Sequence, residues 1–193
     1  MNPIIQEILH GTTVSPEQSD RLLSKLKPIT CKKGDFVLQA GDAISDIFYV
    51  HTGCLRSYLI DKDGKEHTLQ FAVKGWWISD YIALYGKKKS PAVSFIECIK
   101  DTELYSISKT DFNQFLLDYP DFSQFHIRKM ELAFASFQNR ILENLTLSAK
   151  QRYLNFVAAY PSIESVVKNY HIASYLGIAT ESLSRIRKEL SAS

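Results

Sequence analysis

The stretch Asn169-Tyr-His-Ile-Ala-Ser-Tyr-Leu-Gly-Ile-Ala-Thr-Glu-Ser-Leu-Ser-Arg-Ile-Arg-Lys-Glu-Leu190 organises the whole chain. Ile172, Ala173 and Leu176 fall on one face of a short helix, Gly177 interrupts it, Ile178 follows, and Leu183, Ile186 and Leu190 mark the inner face of a second helix. A small residue at 173 lets the second helix cross close to the first, and Gly177 can take the positive φ that stops a helix. The pattern predicts a helix-turn-helix. Its second helix turns outward Thr180, Glu181, Ser182, Ser184, Arg185, Arg187 and Lys188, donors and acceptors suited to base edges and phosphates. Two helices serving only as scaffold need no such set, so the expectation is a DNA-reading unit.

Upstream, Ser148-Ala-Lys-Gln151 is a capping box that opens a helix through Tyr160, stopped by Pro161, with residues 162–168 as a connection. Thr146-Leu-Ser148 is the expected hinge. A long helix should precede it over residues 121–145, where Ile127, Met130, Phe134, Phe137, Ile141 and Asn144 recur at spacings of 3, 4, 3, 4 and 3. That is the heptad spacing of a helix pair and makes these residues the candidate dimer interface. A second set, Phe122, Phe125, Leu132, Ala133 and Ser136, lies on another face and should dock on the rest of the protein.

From residue 29 to residue 108 the pattern is of short strands. Gly34, Gly41, Gly53, Gly64 and Gly75 recur at intervals of 7, 12, 11 and 11, as turns do between the strands of a sandwich or roll. Between them lie Phe36-Val-Leu38, Ile47-Phe-Tyr-Val50, Cys54-Leu-Arg-Ser-Tyr-Leu-Ile60 and His67-Thr-Leu-Gln-Phe-Ala-Val73, followed by Ala92-Val-Ser-Phe-Ile-Glu-Cys98 and Glu103-Leu-Tyr-Ser-Ile107. In residues 54–60 neither alternate face is purely polar. Asp61-Lys-Asp-Gly-Lys65 reads as a solvated hairpin turn, since the remaining ligands of a calcium loop are absent. Two N-terminal helices are expected, over residues 3–10 with a break at Gly11, and from the capping box Ser15-Pro-Glu-Gln18 to near Leu26. A further helix over residues 109–117, capped by Thr110, leads to Tyr119-Pro120.

The expected fold class is therefore α+β: an N-terminal double-stranded β-roll (jelly-roll), a long dimerisation helix and a C-terminal helix-turn-helix domain, divided at residues 1–120, 121–145 and 146–193. With 193 residues, 45% hydrophobic and 23% charged, the chain has the composition of an ordinary globular protein. Its net charge is +2, yet residues 146–193 carry six Lys and Arg against three Glu, so the positive excess sits with the helix-turn-helix. No apolar run reaches the roughly 20 residues that span a bilayer, and the N-terminus lacks the features of a leader, so a cytoplasmic location without membrane contact is expected. Cys31, Cys54 and Cys98 are odd in number and far apart, and read as small core residues.

The order of these parts resembles the Crp/Fnr superfamily of bacterial transcription regulators. The roll carries Lys33-Gly-Asp35, Gly41-Asp42, Phe48-Tyr-Val50, Gly53, Asp63-Gly64 and Gly75, and the C-terminal part Ile172-Ala173, Leu176-Gly-Ile178 and Glu181-Ser-Leu-Ser-Arg185. The resemblance implies a homodimer that senses a signal in the roll and binds a near-palindromic operator, with double-stranded DNA and RNA polymerase as partners. It also implies base contacts from an acidic residue and an arginine four positions on, which Glu181 and Arg185 match; an arginine forks onto guanine and a glutamate accepts from cytosine. Thr180 stands where the cyclic-AMP receptor protein has a further arginine, so a different operator is expected.

In the sensor the resemblance implies a short helix bearing Gly-Glu and then an Arg-Ser, but the corresponding stretches here are Ile78-Ser-Asp80 and Ser90-Pro91. Without that guanidinium a phosphate loses its main charge-assisted fork, so cyclic-AMP binding in the usual manner is not expected. Lys87, Lys88 and Lys89 read as a solvated loop face. Phe71, Trp76, Trp77 and Tyr81, with Asp80 and Ser90, form the candidate effector pocket, its ligand unidentified, and no cofactor, metal or catalytic residue is expected. Two alternatives remain open: a ligand-sensing roll whose tail contacts protein, and a cupin-like enzyme, for which His51 and His67 are the histidines of the roll.

Overall fold

The computed structural model describes residues 2–10, 12, 14–86 and 90–191; Gly11 and Lys87, Lys88 and Lys89 lie outside them. The helices α1 (Pro3–Ile8) and α2 (Pro16–Lys25) come first, and the box at the start of α2 closes as expected, with the Gln18 amide donating to Ser15 Oγ and the Ser15 amide to Gln18 Oε1. The strands β1 (Lys27–Cys31), β2 (Phe36–Leu38), β3 (Asp46–Thr52), β4 (Cys54–Ile60), β5 (Glu66–Val73), β6 (Trp77–Ile78), β7 (Phe95–Cys98) and β8 (Thr102–Ser108) make two antiparallel four-stranded sheets, ordered β1-β8-β3-β6 and β2-β7-β4-β5. A shared interior of Phe48, Val50, Leu55, Ile78, Ile96 and Leu104 joins them. Gly53 turns β3 into β4 with φ 98, and a Cβ there would meet Thr102 Oγ1 at 2.3 Å and the Asp101 carbonyl at 2.7 Å, so only glycine fits.

Six elements depart from the sequence reading. Strand β1 precedes the first run named from the sequence and includes Pro28; it lies at a sheet edge, where a missing N–H is tolerated. Strand β6 and the one-turn helices α3 (Tyr81–Tyr85) and α7 (Pro161–Glu164) are too short to show a period. Strand β7 begins at Phe95, not Ala92. The helix α4 (Lys109–Asp118) is capped by Ser108, whose Oγ accepts from the Asp111 amide, and not by Thr110.

The helix α5 (Pro120–Thr146) begins in a second core that α1, α2 and α4 share with the outer face of β3, around Ile5, Leu22, Ile47, Phe112, Phe115 and Phe122. After α6 (Ala149–Ala159) and α7, the helices α8 (Asn169–Leu176) and α9 (Thr180–Ser191) cross around Ile172, Ala173, Leu176, Leu183 and Ile186. That third core also takes in Cys54, Phe71 and Ile99 of the roll, so the two parts share apolar surface. This explains the mixed faces of β4: Leu55 points into the roll, while Cys54 and Arg56, on the opposite face, are buried against the helix-turn-helix.

Candidate nucleic-acid interface and ligand cleft

Gly177 ends α8 in the left-handed region at φ 64, and Arg152 Nη1 donates to the freed Leu176 carbonyl at 2.8 Å. With Leu183 and Ile186 buried, α9 turns outward Glu181, Ser184, Arg185 and Lys188, all exposed and spaced as one helical face; Thr180 and Ser182 flank it half-buried. Arg187 is a correction. Its Nε donates to Tyr153 Oη at 2.9 Å and its terminal nitrogens to Asn169 and Glu164, so the guanidinium braces the inside of the head and is not free for phosphate. The signal was in the spacing, since residue 187 falls within the stripe of Leu183, Ile186 and Leu190.

The head is moored to the roll by polar contacts across α8. Arg56, 1% exposed, donates to His171 and reaches Glu66 at 2.8 Å and Glu97 at 3.0 Å, with its guanidinium carbon 3.8 Å from the Tyr58 ring centroid. Ser174 Oγ accepts from the Thr68 amide and donates to the Glu66 carbonyl, each at 2.9 Å. Burial first, and the charges of Arg56 and Lys168 second, push the His171 pKa down to about 3, so its ring is neutral and can accept from Arg56.

On α5 only Phe122 is fully buried, and Ile127, Phe134 and Ile141 stand 53%, 64% and 58% exposed. Asn144, at the end of the heptad stripe, is instead engaged by its own chain, accepting from Arg152 Nη1 at 2.7 Å. Leu132, Ala133 and Ser136 do not dock on the roll but line a cleft, into which Met130 and Phe137 also face. The cleft, about 630 Å³, opens between β5, α5 and the head.

Of the candidate effector-pocket residues, Phe71, Trp76 and Trp77 line this cleft, whereas Asp80, Tyr81 and Ser90 do not. Asp80 is 3% exposed and accepts from the amides of Ala83, Val93 and Ser94 at 2.7 to 3.0 Å and from Ser94 Oγ at 3.0 Å. Burial pushes its carboxyl up, but these donors together outweigh it and hold the group below its ordinary value. Val93 and Ser94, not Ser90 and Pro91, thus face α3, and their amides are already taken by a protein carboxylate. The roll histidines are committed separately, His51 to Glu7 and His67 to Asp61, and no cluster of metal-ligating side chains gathers among the described residues.

Residues 28–119 match the cyclic nucleotide-binding domain. Electron transport regulator A of Shewanella oneidensis is 23% identical over 181 residues, covering 88% of this chain and 70% of that protein. The fumarate and nitrate reduction regulatory protein of Yersinia pestis is 22% identical, with the same shares covered. The c-di-GMP responsive global regulator CLP of Xanthomonas campestris superimposes with a TM-score of 0.72 over 92% of each chain at 16% identity. A regulator of the Crp/Fnr family from Eubacterium rectale does so at 0.68, over 93% of this chain and 84% of that one, at 20% identity. In this chain a roll that matches the cyclic nucleotide-binding domain is joined by a long helix to a helix-turn-helix. The relatives and structural neighbours together support a transcription regulator of the Crp/Fnr type.

Proposed function

We propose that the protein is a cytoplasmic, non-enzymatic homodimer that binds a near-palindromic operator. Residues 1–120 act as sensor, 121–145 as dimerisation helix and 146–193 as reading head. The α5 helices of two copies pair through Ile127, Phe134 and Ile141, so that two α9 helices enter successive major grooves. Glu181 and Arg185 read bases, Thr180, Ser182, Ser184 and Lys188 position the duplex, and the bound dimer meets RNA polymerase. The observation that carries this reading is the α9 face itself: Glu181 and Arg185 lie exposed one turn apart on a helix anchored by Leu183 and Ile186.

Selection of duplexes from a random pool by the purified protein should enrich a palindrome. Arg185→Ala should lose about 1–3 kcal/mol of affinity and relax the choice of base at one position in each half-site. Log affinity should fall steeply with log salt. Enrichment of no site at low salt, or affinity indifferent to salt, would favour a tail that contacts protein.

A further inference from the structure

The cleft between the roll, α5 and the head is polar at one end and aromatic at the other. Under α1 it is lined by Glu7, Lys74, His126 and Lys129; toward the head it is lined by Phe71, Phe137, Phe156 and Tyr175. His126 and Phe137 are eleven residues apart on one helix, so the two ends are separated by roughly 16 Å. The charges at the polar end do not cancel. Glu7 is taken by Tyr49 Oη at 3.0 Å, His51 Nδ1 at 3.1 Å and Lys74 Nζ at 3.0 Å, which also occupies the Lys74 ammonium. Lys129 makes no ion pair among the described residues; its ammonium lies 5.5 Å from the Phe125 ring centroid. His126 touches the rings of Trp77, Phe112 and Phe122 and has no hydrogen-bond partner among the described residues. No arginine is among the described residues that line the cleft; Arg140, 4.5 Å from the Tyr175 ring centroid at the aromatic end, is held by the Leu69 carbonyl at 2.7 Å, so the Lys129 end lacks the fork that suits a phosphodiester.

We propose that this cleft binds a small amphipathic monoanion, an aromatic or aliphatic body bearing one carboxylate or sulfonate. The anionic group sits at Lys129 and His126, and the body lies along Phe137 and Tyr175, against the buried Phe71–Phe156 pair that floors the cleft. The volume suits such a molecule, and one surplus cation beside an aromatic trough is complementary to a single charge on an apolar frame. Because Phe71 belongs to β5 and Phe156 and Tyr175 to the head, the bound body bridges the two. The proposal rests on the reading of the chain as a ligand-responsive regulator.

The test uses two probes on the full-length protein, with Trp76 and Trp77 as reporters: 8-anilinonaphthalene-1-sulfonate and its uncharged parent N-phenyl-1-naphthylamine. The sulfonate should bind once per protomer, about tenfold more tightly than the neutral probe. Lys129→Gln should abolish that preference, Lys129→Arg should keep it, and Phe156→Leu should weaken both probes. Equal affinity for the two probes, or a preference untouched by Lys129→Gln, overturns the proposal. So does binding that appears only when Phe134→Glu has separated the protomers, which would give the cleft to a second copy of the chain. No DNA enters this experiment; loss of operator binding with the probe preference intact would therefore sink the regulator reading while supporting the cleft.

Discussion

Arg56 on β4 and His171 on α8, 115 residues apart in the sequence, are hydrogen-bonded partners at a buried junction between the sensor roll and the reading head. The arrangement requires a neutral imidazole, because a protonated ring would set a second cation against a guanidinium with almost no access to water. Glu66 and Glu97 balance the arginine, and Ser174 adds a backbone link beside it. The head is thus held by specific partners as well as by apolar contact. Arg56→Leu should cost about 3 kcal/mol, since it leaves carboxylates and an imidazole without their partner. It should also raise amide exchange in α8 and β5. Unchanged exchange in those two elements would show that the junction does not hold the head.

Acid should weaken the fold through two histidines. Burial, with Arg56 and Lys168, takes His171 down to about 3, and burial takes His126 down to about 4. In the unfolded chain both titrate near 6.5, so below that pH the unfolded state binds more protons. The stability they contribute is fully present above pH 6.5 and is lost as pH falls toward 3 to 4, roughly 2 kcal/mol for each by pH 5. Urea midpoints at pH 7 and pH 5 measure the loss, and His126→Leu should remove about half of this histidine contribution. A variant with the full acid sensitivity of the parent would refute that assignment.

Arg187 and Lys188 are neighbours with different duties. Arg187→Gln should lower stability by about 1–3 kcal/mol, because Glu164, Asn169 and Tyr153 lose their donor, and should leave the salt dependence of DNA binding unchanged. Lys188→Ala should leave the melting temperature unchanged and reduce the salt slope by about 1. Thermal melts and binding at several salt concentrations separate the two.

The exposed stripe of α5 predicts a clean dimer mutant. Phe134 is 64% exposed in the isolated chain, so Phe134→Glu should change monomer stability by no more than about 0.5 kcal/mol while abolishing the dimer in sedimentation. A variant that stays dimeric would place the pairing surface elsewhere.

Two glycines should respond differently to a methyl group. At Gly177 an added Cβ finds ordinary contacts, 3.7 Å from Arg152 Nη1 and 3.8 Å from Asn144 Oδ1, so Gly177→Ala should cost only the left-handed conformation, about 1–2 kcal/mol. At Gly53 the Cβ collides with a neighbouring strand, and Gly53→Ala should cost clearly more. Chemical denaturation ranks the pair.

Much of this architecture was legible in local pattern. The capping boxes at Ser15 and Ser148, the Gly177 stop, the extent of β4 and the long helix are all written in spacing and residue type. Helix α3 and strand β6 were not, because two to five residues carry no period, and β1 precedes the first named run and includes a proline that an edge strand tolerates. The outward residues of α9 could be named from the 3.6-residue repeat, but the same repeat already placed Arg187 on the inner stripe. Asp80 and Tyr81 lie close in sequence to Trp76 and Trp77, yet the chain turns between them and carries the first pair away from the cleft.

The sequence by itself determined the kind and order of the elements, since helix, strand and turn preferences act over a few residues. It also showed that β4 has no simple polar face. Only the tertiary structure decided what covers that face: His171 and the core of the head, brought there from more than a hundred residues away. The cleft, the Arg56 junction and the engagement of Asn144 by Arg152 belong to the same category. They arise where separate elements meet, and no local spacing encodes which buried group will satisfy which distant partner.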